Sequence, residues 1–419
     1  MKAMKCGFIL LVVAATVACC FGEDIPAAKE KTEEVVVEGN NRFAVELYAK
    51  LREQKGNLFL SPYSVSAALA MTYAGARGKT ETQMARALHF PSVIAEKGSL
   101  SGVDNQKQFH SAFGAIIKDL NAKGEKSKYE LIVANALWGQ KGYEFLKEFL
   151  QLVESDYDGQ LNEVDFIGDT ESARKTINAW VEKKTKDKIK DLITQGVLDQ
   201  LTRLVLTNAI YFKGNWASQF KKEKTEDAPF TLVSGEKVNI AMMNQTEQFS
   251  YMETEDFQGL EMPYVNNELS MIIFLPKQTD GLAEFEKKLT AENLSQWLAR
   301  LRKREVIVSV PKFKETCQFS LADVLRQMGM TAAFAPEADF SGMNGKGELF
   351  ISAVIHKAFV DVSEEGTEAA AATGVGMMKT SIGPKEITVF RADHPFLFLI
   401  RDNKSGSILF IGRMMNPKT

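Results

Sequence analysis

Apolar residues recur at helical spacing early in the chain and cluster into short strand-like runs later. Residues 41 to 51 carry apolar side chains at Phe43, Val45, Leu47, Tyr48 and Leu51, which predicts an amphipathic helix. Ser61-Pro62 opens a second, because Ser61 can cap its first turn and Pro62 is tolerated there. Further helices are predicted over residues 105–120 and over the Lys-rich stretch 170–192. Residues 131–138 read as a strand, as do 204–212, 269–275, 306–310, 353–362, 396–401 and 408–414. Helices first and strands later predict a mixed α+β fold. No internal repeat and no Pro/Gly/Ser-rich linker divides the chain, although 419 residues would accommodate roughly two or three domains of about 150. Residues 23–40, polar and charged, read as a loose flexible arm.

The N-terminus changes that picture. Lys2 and Lys5 precede an apolar run from Cys6 to Cys20, and Gly22 precedes the acidic Glu23-Asp24. This layout predicts a secretory signal peptide over residues 1–22, since the apolar run is short for a membrane span. Bacterial lipidation at Cys19 or Cys20 is an alternative that Thr16-Val17-Ala18 fits poorly. Cleavage after Gly22 would leave Cys317 as the lone thiol of a secreted, extracellular chain, so no internal disulfide is expected. Sequons stand at Asn244, Asn293 and Asn403, each a glycosylation candidate in a host that modifies secreted proteins.

Composition excludes more than it identifies. A hydrophobic fraction of 45% with a net charge of -3 rules out a disordered chain, and the missing basic excess argues against a nucleic-acid partner. Enzyme motifs do not complete. Gly78-Lys79-Thr80 resembles the end of a phosphate loop, but Tyr73 stands where its first Gly belongs. Gly374-Val375-Gly376 is followed by Lys379 where a dinucleotide fingerprint needs Gly. His89, His110, His356 and His394 are widely separated, and Cys317 lacks a neighbour of metal-ligand type, so no metal or other cofactor is expected.

The informative stretch is Glu364-Glu365-Gly366-Thr367-Glu368-Ala369-Ala370-Ala371-Ala372-Thr373, beside a predicted strand. An Ala-rich run favours helix on local grounds. At the two-residue period of a strand, Thr367, Ala369, Ala371 and Thr373 share one face, leaving Glu368, Ala370 and Ala372 on the other. The first face is small enough to slide between existing strands without overpacking. Such a segment can be a loop in one state and a strand in another.

From about Asn41 to Pro417 the chain closely resembles the serpin family. The resemblance rests on residues 57–64 (NLFLSPYS), 206–216 (LTNAIYFKGNW), Val310-Pro311-Lys312-Phe313, the small-residue hinge, His394-Pro395-Phe396-Leu397-Phe398 and Ile408-Leu409-Phe410-Ile411-Gly412-Arg413. It implies one domain spanning 41–419, with three β-sheets, eight or nine helices and an exposed reactive loop at about 364–390. It implies a monomeric inhibitor of serine proteases that acts as a suicide substrate: the loop is cleaved, inserts into the main sheet and traps the protease covalently. The alternative is a non-inhibitory serpin, a carrier or chaperone, which bulky or charged inward hinge residues would have favoured.

The resemblance also implies roles for residues. Ser61, Ser64, Asn208 and His356 match a polar cluster under the middle of the main sheet. Lys312 and Glu364 match an ion pair where the loop enters, with Trp216 packed beside it. Counting from Gly366 puts the reactive bond at Thr380-Ser381, with Lys379-Thr380 as competitor and Met378 a further choice. Thr380 suits elastase-like enzymes or subtilisins, and Lys379 would suit trypsin-like ones. Lys118, Lys123, Lys126 and Lys128 lie near the helix that binds heparin in some serpins, and Arg300, Arg302, Lys303 and Arg304 form a second basic group. Acidic residues interrupt the first group, which favours a solvated face over a glycosaminoglycan partner.

Overall fold

The computed structural model describes residues 24–91, 102–126, 129–364 and 388–418. The five-stranded sheet runs in the order β10 (Phe313–Ser320), β11 (Ile351–Val362), β4 (Leu204–Lys213), β2 (Glu130–Gln140), β3 (Gln160–Val164). A second network runs β1 (Leu58–Leu60), β14 (Ile408–Met414), β13 (Phe396–Asp402), β8 (Leu269–Pro276), β7 (Phe257–Pro263), β6 (Lys237–Glu253), β9 (Arg302–Pro311), β12 (Thr388–Arg391). Strand β5 (Glu226–Thr231) adds to β6. Strand β6 is 17 residues long, and its two ends serve different partners. Residues from Met242 on pair with β9, whereas Ser250 to Glu253 pair with β7. Divided where β6 changes partners, the network is two sheets, which gives three in all among the described residues.

The helices are α1 (Asp24–Leu51), α2 (Pro62–Tyr73), α3 (Gly78–Ala87), α4 (Gly102–Lys126), α5 (Lys147–Tyr157), α6 (Thr170–Lys184), α7 (Leu282–Lys288), α8 (Ala291–Ala299), α9 (Ala322–Gln327) and the single-turn α10 (Ser341–Asn344). Two cores enclose the five-stranded sheet. On one face Leu206, Ile210 and Phe212 of β4 join α2 and the aromatic stack of Phe59 on Phe398 and Phe410. On the other, Val205, Ala209 and Tyr211 pack with Trp138 under Ile177 and Val181 of α6. The strand's two-residue period therefore fills both cores, so β4 is buried along almost its whole length.

Three expectations need correction. Residues 24–40 are not a loose arm: they form the first half of α1, with Val36, Val37 and Asn40 buried. Asn40 accepts a hydrogen bond from Ser66 Oγ at 2.6 Å. Gly39 permits the contact with the end of α3, since a Cβ there would lie 2.2 Å from the carbonyl oxygen of His89. The Lys-rich helix ends at Lys184 instead of continuing to residue 192. Thr185 Oγ1 donates to Val181 O and accepts from Ile189 N, while Lys186 and Asp187 take positive φ angles of 49° and 59°. Ile189, Leu192 and Ile193 remain buried beyond that stop, which is why the apolar periodicity outran the helix. Lastly, Thr388 to Phe390, placed at the end of the loop, are strand β12.

Candidate functional site

Register builds a polar row into the middle of the five-stranded sheet. Asn135 of β2 lies opposite Asn208 of β4, and Asn208 lies opposite His356 of β11. Asn208 shares its face with Leu206 and Ile210, so all three polar groups point into the apolar core beneath the sheet. There they meet the start of α2. Ser61 caps that helix, its Oγ accepting from Ser64 N at 3.2 Å and donating to Leu409 O at 2.7 Å. Ser61 N donates to His356 Nε2 at 3.0 Å. The imidazole therefore carries its proton on Nδ1 and donates it to Asn208 Oδ1. Asn208 Nδ2 in turn donates to Ser64 Oγ at 2.6 Å and to Asn135 Oδ1, which also accepts from Ser64 Oγ at 3.2 Å.

Every member of this network except Asn135 is fully buried. Burial disfavours the imidazolium and pushes the His356 pKa down to about 3. The group is thus a neutral hydrogen-bond relay. Asn135 had escaped the sequence reading, although a polar amide inside the apolar run 131–138 marks such a position.

The network sits on a seam. Strands β4 and β11 pair directly and in parallel, from Ile351 opposite Leu204 to Val360 opposite Phe212. The Asn208–His356 hydrogen bond crosses that seam at its midpoint. At the end of β11, Glu364 is buried and accepts from Lys312 Nζ at 2.8 Å, with the Lys312 side chain 43% exposed. Burial pushes the Glu364 carboxyl up, but the hydrogen bonds it accepts, that from Lys312 foremost, outweigh burial and hold it below the usual range. Trp216 Nε1 donates to Ser363 O at 2.9 Å, and its ring stacks on Tyr264 at 4.6 Å. These three side chains clamp the point where the chain leaves β11.

A family model described as serpin (serine protease inhibitor) matches residues 38–417. The chain belongs to the serpin family. It is 44% identical over 388 residues to the leukocyte elastase inhibitor of Bos taurus, covering 90% of this chain and 98% of that protein. Serpin B4 of Homo sapiens is 42% identical over 388 residues, covering 91% and 99%. Among solved structures, uncleaved ovalbumin superposes with a TM-score of 0.80 at 30% identity, covering 91% of this chain and all of that one.

This serpin brings together Ser61, Ser64, Asn208 and His356 in one network, and Trp216, Lys312 and Glu364 in another. The hinge residues Gly366, Thr367, Glu368, Ala369, Ala370, Ala371, Ala372 and Thr373 lie outside the described residues, as do Met378, Lys379, Thr380, Ser381 and the leader 1–22. Each sequon amide already donates to backbone: Asn244 to Lys224 O, Asn293 to Lys288 O and Asn403 to Asn267 O. Asn244 and Asn403 each donate a second bond as well, to Met242 O and Ser270 Oγ, so a glycan there would displace one of the two, whereas Asn293 could keep its bond through the remaining N–H. Lys118 is exposed on α4, Lys128 falls outside the described residues, and the side chains of Lys123 and Lys126 are undescribed. Cys317 is partly buried on β10, where burial first and Glu315 second push its thiol up to about 12. No helix among the described residues is long and apolar enough to cross a membrane, and none of their side chains cluster as a metal site.

Proposed function

We propose that this serpin is a suicide-substrate inhibitor of serine proteases, with elastase-like or subtilisin-like enzymes as its targets. The observation that carries the reading is the closed parallel seam between β4 and β11. A chain that leaves β11 at Val362 and folds back runs antiparallel to β11. Because β4 is parallel to β11, the same returning segment is antiparallel to both. Insertion would replace one parallel interface by two antiparallel ones and break the Asn208–His356 bond, so the polar network holds the seam shut until the loop is cut. The small residues Thr367, Ala369, Ala371 and Thr373 suit the buried face of the new strand.

In this reading the protease serine attacks the carbonyl of Thr380, forms an ester, and releases Ser381 as a new amino terminus. Insertion then carries the esterified enzyme away before water can reach the bond. The inhibitor supplies no catalytic group. The names of its relatives support an elastase-like target, and Lys379 remains the competing specificity residue.

Export to the extracellular space belongs to the same proposal. Residues 1–37 lie ahead of the family match, and cleavage after Gly22 would leave every described residue of α1, Asp24 to Leu51, in the mature chain. Two measurements test the reading. Mass spectrometry after incubation with elastase should show an SDS-stable adduct and a new terminus at Ser381. Nicking the loop between Gly374 and Ser381 should raise the melting temperature, the opposite of what nicking does to most folds. A nicked form that melts at or below the intact protein would overturn loop insertion.

A further inference from the structure

Four cations cluster where α8 passes into β9: Arg300, Arg302, Lys303 and Arg304, all exposed. Glu305 is the one acidic residue between Ala299 and Val306. A second carboxylate, Glu253 of β6, interacts with Arg304 but is shared with Lys277 Nζ at 2.8 Å and the Tyr251 hydroxyl at 2.9 Å, so four cations outnumber these two carboxylates. The patch therefore keeps its positive charge.

Its position ties it to the reactive loop. Strand β12, where the chain re-enters the described fold after that loop, pairs in parallel with β9, Thr388 lying opposite Val306. Strand β9 begins at Arg302, four residues before that partner, and so projects about 13 Å past the start of β12. The projection lies on the side from which the chain enters β12. Arg304 is held there by packing over the Tyr251 ring at 5.3 Å. Gln258 Nε2 donates both to the Tyr251 hydroxyl at 2.8 Å and to Val389 O of β12 at 3.1 Å. The basic patch and the root of the loop are one connected piece of structure.

We propose that Arg300, Arg302, Lys303 and Arg304 form a docking surface for the target protease, selecting serine proteases that carry carboxylates on the rim of their active-site cleft facing the C-terminal side of the scissile bond. The inference rests on the protease-trapping reading above. Continuity with the loop's anchor strand favours a protease over a sulfated polysaccharide as occupant. Exposed charges of this kind add little to final affinity but steer encounter, raising association rates by about 10-fold to 1000-fold at low ionic strength. Trapping is irreversible, so association rate is the quantity by which such an inhibitor discriminates.

The test compares subtilisin with a subtilisin variant bearing two added carboxylates on that rim, against three inhibitors: parent, Arg302→Glu/Lys303→Glu, and Arg302→Lys/Lys303→Arg. Arg304 is left in place to preserve its packing on Tyr251. Second-order trapping rates are measured at low and at several-fold higher salt. The added carboxylates should speed trapping by the parent about tenfold at low salt, with the advantage shrinking as salt rises. The gain should vanish in the Glu variant and persist in the Lys/Arg variant. Equal responses of parent and Glu variant would overturn the proposal while leaving trapping intact. Unchanged protease rates with lost retention on heparin-agarose would likewise overturn it, assigning the patch to a polysaccharide. Absence of any SDS-stable complex with the parent would remove the trapping reading, and the docking surface with it.

Discussion

Asn208→Ala tests the clasp across the β4–β11 seam most directly. The substitution removes the acceptor of the His356 Nδ1 proton and the donor to Ser64 Oγ and Asn135 Oδ1. Ser64 and Asn135 keep each other at 3.2 Å, so their loss is partial. His356 has no such substitute: Ser61 N occupies its other nitrogen, and Nδ1–H is left unpaired in a fully buried site. An orphaned buried donor costs about 1–3 kcal/mol and each further hydrogen bond about 1 kcal/mol, so the variant should lose about 2–4 kcal/mol. At roughly 1.2 °C per kcal/mol for a chain of this size, the melting temperature should fall by about 2–5 °C. Unfolding of a trapped state is kinetically governed, so loss of inhibitory activity at fixed temperature is the companion assay. Because the cost resides mainly in the orphaned imidazole, the same substitution in a His356→Phe background should cost about 1–2 kcal/mol less. Strict additivity of the two substitutions, or a melting shift below 1 °C, would refute this account of the clasp.

Lys312→Ala should also destabilise the native state, by about 1–3 kcal/mol, because Glu364 would stay buried without its cation. Adding Glu364→Gln should recover part of that loss, read by differential scanning calorimetry; no recovery would mean that packing, and not charge, holds the clamp. Acid should weaken the fold through two histidines. Burial pushes His356 and His110 down to about 3, with Arg77 adding to burial at His110. Between that value and the unfolded value near 6.5, the unfolded chain binds protons that the folded chain does not, so stability falls as pH falls, by about 2 kcal/mol per histidine from pH 7 to 5. Denaturant titrations of His110→Phe should show a slope against pH shallower by that amount, and an unchanged slope would contradict it. Thr367→Arg should convert the inhibitor into a substrate, since insertion would bury an unpaired guanidinium; undiminished SDS-stable complex would count against the inserted face assigned here.

Much of this protein was legible in its sequence because the signals were local. The period of Phe43, Leu47 and Leu51, the cap-and-proline start at Ser61-Pro62, and the strand runs at 204–212 and 408–414 each depend on residues within a few positions of one another. The family motifs likewise identified Ser61, Ser64, Asn208 and His356 as a set, and Lys312 with Glu364 as a pair. Local signals failed where tertiary contacts overrode them. Residues 24–40 are too polar to announce a helix, and Val36, Val37 and Asn40 become structural only when α4, Ser66 and the end of α3 are packed around them. The stop at Thr185 was hidden because the loop beyond it buries the same apolar residues that a longer helix would have.

What only the tertiary structure decided is register. Asn135, Asn208 and His356 come from separate strands of the chain, and each lies within a mainly apolar run. Pairing β2 with β4 antiparallel and β4 with β11 in parallel sets the three side by side on one face. A one-residue slip in either pairing would turn a polar group away from its partners and into the opposite core. The residues that guard the seam are written in the sequence, but their meeting is a property of strand alignment, which no local pattern encodes.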